Sequence, residues 1–173
     1  MPMLDLSKRR QRVKELARRG GFDEAITECH ALLEQFPEAK ADLLRLRAYV
    51  YATHGKYHEA IADRKELIAS GEGVLRDYYL LGDNSISLGQ FREAAAALRE
   101  LLRLGAEQKE DWFESAAFFL LSYSEMQLGR LQEASEYLER AVARDPDCAL
   151  PIRGYGIMTY QQLGELINRR SRG

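Results

Sequence analysis

Cysteine is scarce in this chain, with two in 173 residues, Cys29 and Cys148, neither in a CxxC pair. That excludes a disulfide-stapled scaffold, and both read as buried or half-buried free thiols that behave as small hydrophobes. A surplus of charge of one sign is also missing. The formal net charge is −2, so global electrostatics do not point to nucleic acid or an acidic lipid surface. No apolar run near the N-terminus could serve as the core of a signal peptide, and none approaches the roughly 18 residues of a membrane span. The expectation is a cytoplasmic protein with no membrane partner.

The marks of catalysis are absent too. There is no HExxH, no Gly-x-Ser-x-Gly elbow and no phosphate loop. The clusters GEG at 71–73 and GYG at 154–156 lack the strand–turn–helix setting of a phosphate cradle. His54 and His58 are four apart, a metal-friendly interval, but Gly55 interrupts them and no third ligand is near. His30 reads as an ordinary helical residue. No enzyme activity, cofactor, metal or small-molecule substrate is expected.

What the chain has is repetition. GGFDEAITECHALL begins at Gly20, GKYHEAIADRKELI at Gly55, GQFREAAAALRELL at Gly89 and GRLQEASEYLERAV at Gly129. The alanines of the Glu-Ala pairs, Ala25, Ala60, Ala94 and Ala134, lie 35, 34 and 40 residues apart. A period near 34 marks helix–turn–helix units that stack into a solenoid. The glycines suit the left-handed turn between two helices. Phe22, Tyr57, Phe91 and Leu131 plug the turn. The alanines allow close approach to small partners on the first helices: Ala48, Gly82, Ser122 and, in a last partial unit, Gly156. Pro37 and Pro146 end second helices, whereas Glu72 and Ala106 stand at the corresponding ends of copies two and three.

On these phrases the sequence resembles the tetratricopeptide repeat family from about Leu6 to Leu166, and is similar to the small stand-alone repeat proteins of bacteria. The resemblance implies an all-α fold, a right-handed superhelical solenoid of four helix–turn–helix repeats plus a C-terminal capping helix. A single domain is expected over 1–173, with repeats at about 6–40, 41–74, 75–114 (with an insertion) and 115–148. First helices are expected near 6–19, 41–54, 75–88 and 108–128, second helices near 22–36, 57–70, 91–104 and 131–144, and the capping helix at 149–168. Val13 stands where a small residue is usual, as befits a polar, atypical terminal repeat. The six extra residues of the third spacing are expected to lengthen the first helix of copy four, with Trp112 on the extension. There Trp112 either packs with Phe113 against the preceding helices or forms a raised lip as a binding anchor.

In this family the first helices line a concave groove where ligands lie. The resemblance therefore implies a lining of Arg10, Lys14 and Arg18, then Asp42, Arg45 and Tyr49, then Arg76, Tyr79 and Asp83. Phe119, Tyr123, Met126 and Gln127 follow, and the closing helix adds Arg153, Ile157 and Tyr160. Tyrosine, arginine, phenylalanine and methionine are the residues that carry interface energy, and the basic side lies N-terminal. The clamp with which one subclass grips acidic chaperone tails is incomplete here and is not expected.

The function implied is non-catalytic binding of a peptide or folded protein, as adaptor, scaffold or chaperone. An alternative is an immunity protein that neutralises a bacterial toxin, since ADRKELI, DYYLLGD and WFESAAFFLLSYSEMQLG are similar in flavour to repeat proteins of toxin loci. A weaker alternative is nucleic-acid binding through two basic clusters, Lys8 to Arg19 and Arg169 to Arg172, which lack interleaved aromatics for stacking. Oligomeric state is not readable.

Overall fold

The computed structural model describes residues 2–172, with side chains from residue 5 onward. Met1 and Gly173, which the single-domain expectation takes in, lie outside the described residues. The helices are α1 (Pro2–Arg18), α2 (Phe22–Gln35), α3 (Lys40–Thr53), α4 (Tyr57–Ala69), α5 (Leu75–Ser87), α6 (Phe91–Gln108), α7 (Glu114–Gln127), α8 (Leu131–Arg144) and α9 (Tyr160–Ser171). A 3-10 turn, Pro37–Ala39, precedes α3, and two strands, β1 (Ala149–Ile152) and β2 (Gly156–Thr159), precede α9. Internal contacts divide the chain into two compact units, Met1–Asp77 and Tyr78–Gly173.

The helical hairpins turn by one device. Gly20 and Gly129 have φ of +85° and +78°, and Gly55 and Gly89 share that left-handed conformation. In each turn the glycine and the next residue donate back into the preceding helix, as Gly129 N to Met126 O (3.1 Å) and Arg130 N to Glu125 O (2.9 Å) do. This satisfies helix-terminal carbonyls that would otherwise be orphaned.

The first unit contains α1 to α4 and the opening turn of α5. Its core gathers Val13, Ala17, Ala25, Cys29, Leu32, Leu43, Leu46 and Val50. Ala48 and Ala60 are fully buried, as the small-residue pattern requires. Across α3 and α4, Arg47 donates twice to the buried Asp63, at 3.0 and 2.6 Å. Asp77 accepts from Val74 N at 3.1 Å, closing the start of α5, and from Arg45 Nε at 2.9 Å.

The second unit contains the rest of α5, α6 to α8, the strands and α9. Leu98 packs into the space that a side chain on Gly82 would fill; a Cβ there would lie 2.7 Å from Leu98 Cγ. Ser122 Oγ donates to Ala134 O at 2.7 Å, so the paired small residues of this hairpin are in direct contact. Glu125, fully buried, accepts from Arg99 and, at 3.0 Å, from Arg130.

Two expectations are corrected. The insertion does not lengthen α7 to 108–128. It lengthens α6 to Gln108, and α7 begins only at Glu114. Gly105 does not end the helix; it is buried within α6 because the Phe113 ring occupies the space of its missing side chain. Ala106, Glu107 and Gln108 then continue the helix as good helix formers. Lys109, at φ +59°, closes it. Trp112 accordingly stands in the turn between α6 and α7.

The capping helix does not span 149–168, and Gly156 is not the small partner of a fifth first helix. Residues 149–159 form an antiparallel hairpin in which Leu150 pairs with Met158 and Pro151 with Ile157. Ile152, Ile157 and Thr159 are β-branched, favouring extended backbone. Gly154 and Gly156, at φ +86° and +74°, turn the chain. Met158 and Ile152 are buried while Pro151 and Ile157 are exposed, the alternation of a half-buried ribbon. Helix α9 starts one residue later on a capping box, in which Gln162 N donates to Thr159 Oγ1 (3.3 Å) and Thr159 N to Gln162 Oε1 (2.8 Å).

Candidate functional site

In the first unit, the face carried by α1 and α3 is open and charged. Arg10 reaches Asp42 at 3.3 Å, which places the two helices' anticipated ligand positions side by side. Lys14 is half-buried, Arg18 is exposed and Tyr49 is 37% exposed. The exposure of Tyr49 stands out because Leu43, Leu44, Leu46, Ala48 and Val50 of the same helix are all buried. Arg45 is engaged within the unit: its guanidinium meets Asp77, Asp42 at 3.4 Å and the carbonyl of Glu72. Arg76, in the first turn of α5, is exposed.

In the second unit, the corresponding positions are covered. Phe119 and Met126 are completely buried and Tyr123 nearly so, while Tyr79 and Asp83 are half-buried. Every residue of α7 from Ala117 to Met126 is buried. A helix enclosed on all sides needs a neighbour on each. Helices α6 and α8 supply two, and the C-terminal segment supplies the third. Arg153 donates to Ser87 O at 2.9 Å. The Tyr155 ring meets Tyr123 edge-on at 6.2 Å, and Tyr123 meets Phe91 at 6.0 Å. Arg170 donates to Met126 O at 2.9 Å and to Gln127 Oε1 at 3.1 Å. Burial raises the Tyr123 hydroxyl above its ordinary pKa; burial, with Asp83 and Cys148 adding, pushes Tyr79 up to about 12. Burial likewise raises both thiols, Cys29 to about 12, so neither is a reactive thiolate at neutral pH.

Arg153 and Tyr160 were expected in the lining. Arg153 is on the covering hairpin, and Tyr160 is half-buried at the start of α9, its hydroxyl accepting from Gln161 Nε2 at 3.2 Å. Trp112 is 60% exposed, its ring edge-on to the buried Phe113 at 5.1 Å. Phe113 seals the insertion and Trp112 projects from it. His54 Nδ1 lies 3.0 Å from Val50 O and its ring packs on Phe22, so it serves the end of α3. Among the described residues, no three His, Cys, Asp or Glu side chains are gathered as a metal site would require, and no helix is long and apolar enough to cross a membrane.

Sequence reasoning missed the cover over α5 and α7. Its signals were Pro151 and the paired glycines of GYG, which oppose a helix there. It also missed a shallow apolar groove between α8 and α9, lined by Leu138, Val142, Tyr160, Gly164 and Ile167.

The family model for the tetratricopeptide repeat matches residues 10–73 and 79–149. No curated protein matches the chain significantly. Among solved structures, residues 41 to the end of MamA from Desulfovibrio magneticus RS-1 superpose with a TM-score of 0.76 at 18% identity, covering 96% of this chain and 85% of that one. A putative kinesin light chain of nearly identical TPR-like repeats from Podospora anserina superposes with a TM-score of 0.67 at 19% identity, covering 82% and 75%. These likenesses concern the fold.

Proposed function

This chain belongs to the tetratricopeptide repeat family, and from that premise we propose that it is a non-catalytic scaffold or adaptor whose working face is the α1–α3 surface of the first unit. The observation that carries the proposal is Tyr49, an aromatic ring left 37% exposed on a helix whose aliphatic residues Leu43, Leu44, Leu46 and Val50 are all buried, on the same α1–α3 surface as Arg10, Lys14 and Arg18. Tyrosine and arginine dominate interface energetics. Three cations against one acid, Asp42, favour an acidic segment of a partner protein.

A chaperone shielding an apolar segment would need the Tyr123–Met126–Tyr160 region, and that region is already occupied by the chain's own C-terminal segment. The basic clusters are partly spent on internal contacts. Arg9 pairs with Glu28 at 2.6 Å and donates to Gln35 at 2.5 Å. Arg169 pairs with Glu165 at 3.6 Å. This favours a protein partner over a nucleic acid.

The test is capture from native cells by the tagged full-length chain, with a Lys14→Ala/Tyr49→Ala variant beside it. The expected result is one protein retained by the wild type and bound about thirtyfold more weakly by the variant, the effect of losing one hot-spot residue, with thermal unfolding unchanged. Equal capture by both would remove the α1–α3 face as the working surface. Binding that follows added RNA and collapses with salt would replace the protein-partner reading altogether. The identity of the captured protein separates a scaffold from a toxin-neutralising role.

A further inference from the structure

The residues of α5 and α7 at ligand-facing positions of the repeat are not covered by another repeat. They are covered by a C-terminal segment that the repeat pattern does not include, since the family match ends at residue 149, where β1 begins. Among those positions the β1–β2 ribbon meets Tyr123, while Arg170 of α9 covers Met126 and Gln127. The ribbon's Arg153 reaches the last carbonyl of α5, at Ser87, and its Tyr155 meets Tyr123 of α7. At its base, Cys148 is buried beside Ser115, the second residue of α7, and near Tyr79 of α5. An extended segment laid across first helices is the arrangement a bound peptide would take.

The tip is open to solvent. Arg153, Gly154, Tyr155, Gly156 and Ile157 are all exposed, Tyr155 by 52% and Ile157 by 63%. The two positive-φ glycines have no heavy atom within 4 Å of where a Cβ would stand. The Arg153 hydrogen bond and the edge-on contact of Tyr155 hold the tip, whereas Ile152 and Met158 anchor the strands by burial.

We infer that the β1–β2 hairpin is a built-in occupant of the α5–α7 face, latched by Arg153 and Tyr155, which lifts to open a second peptide-binding face. A segment that takes its place must offer the same chemistry: extended backbone, a cationic donor for the Ser87 carbonyl and an aromatic ring for Tyr123. This holds whether or not the α1–α3 face binds a partner.

Cys148 reports the lift because it is the residue just before β1 and is buried between the hairpin's foot and Ser115 of α7 and Tyr79 of α5, and Cys29, in the core of the first unit, is an internal control. The full-length protein is alkylated with N-ethylmaleimide under native conditions, and each cysteine is followed by mass spectrometry. Removing the cationic hydrogen bond in Arg153→Ala, or the ring in Tyr155→Ala, should speed Cys148 alkylation about tenfold. Cys29 alkylation and the hydrogen-exchange protection of α8, in the same unit as the hairpin, should not change. Arg153→Lys, which keeps a donor, should stay close to wild type. Unchanged Cys148 rates in both alanine variants overturn the latch. So does acceleration that comes with loss of protection in α8, because then the whole unit opens and the hairpin is only part of its core.

Discussion

Arg47→Ala should cost about 3–5 kcal/mol of stability, the penalty for leaving a buried charge without its partner. The Asp63 side chain is only 5% exposed and Arg47 is 20% exposed. The fork geometry, with bonds of 3.0 and 2.6 Å, is the strong bidentate form. The hydrogen bond to Asp63 is the main reason the Arg47 guanidinium holds its proton more tightly than usual. Once Arg47 is gone, the carboxylate on α4 loses both of these bonds at a site with little water. Asp63→Ala should cost less, because the stranded guanidinium is the more exposed partner and has a long stem by which to reach solvent. Replacing both with apolar residues of similar volume should recover most of the loss. Urea unfolding followed by circular dichroism measures all three. A cost below about 1 kcal/mol for Arg47→Ala would mean that the pair behaves as a surface ion pair.

Gly105→Ala should destabilise the second unit by about 2 kcal/mol, the balance of two opposed effects. Alanine gains about 1 kcal/mol in an unpacked helix, while forced overpacking costs about 1–3 kcal/mol or more. Here the second wins. The new Cβ would overlap Phe113 Cζ and lie 2.8 Å from the backbone oxygen of Glu110. The Phe113 ring is buried and has no free direction in which to move. The Glu110 backbone is held because its N–H donates to Gly105 O at 2.9 Å. In a chain of this size the expected fall in Tm is about 4–8 °C. Phe113→Leu in the Gly105→Ala background should restore part of it by clearing the ring, though not the carbonyl. A Tm equal to or above that of the wild type would show that the turn at 109–113 yields easily.

The helices were legible in the sequence wherever local chemistry decided them. The turn glycines at 20, 55, 89 and 129 need a left-handed residue whatever surrounds them. The alanines at 25, 60, 94 and 134 are small because a helix lies against them. Features set by contacts distant in sequence were not legible. The second helix of copy three is expected to stop at 104, and its continuation through Gly105 rests on the contact with Phe113, eight residues on. Pro151 taken alone is compatible with a helix start; together with the paired glycines it opposes a helix, but the sequence does not show that the segment folds back as a ribbon against α7. The repeat register places Phe119, Tyr123 and Met126 at ligand-facing positions of the first helix of copy four, but register says nothing about what lies on that face. Tyr49 and Tyr123 occupy equivalent positions in copies two and four, yet one ring is exposed and the other is buried beneath the chain's own C-terminal segment.

The lone indole has a practical consequence. Trp112 is the only tryptophan, and it is 60% exposed in the turn between α6 and α7. Its emission in the native protein should already be that of a hydrated ring, so unfolding has little spectral shift left to produce. A fluorescence titration would follow the environment of one turn and pass over the melting of α1 to α4 in silence. The nine tyrosines, spread over both units, are the better chromophores for watching this protein come apart.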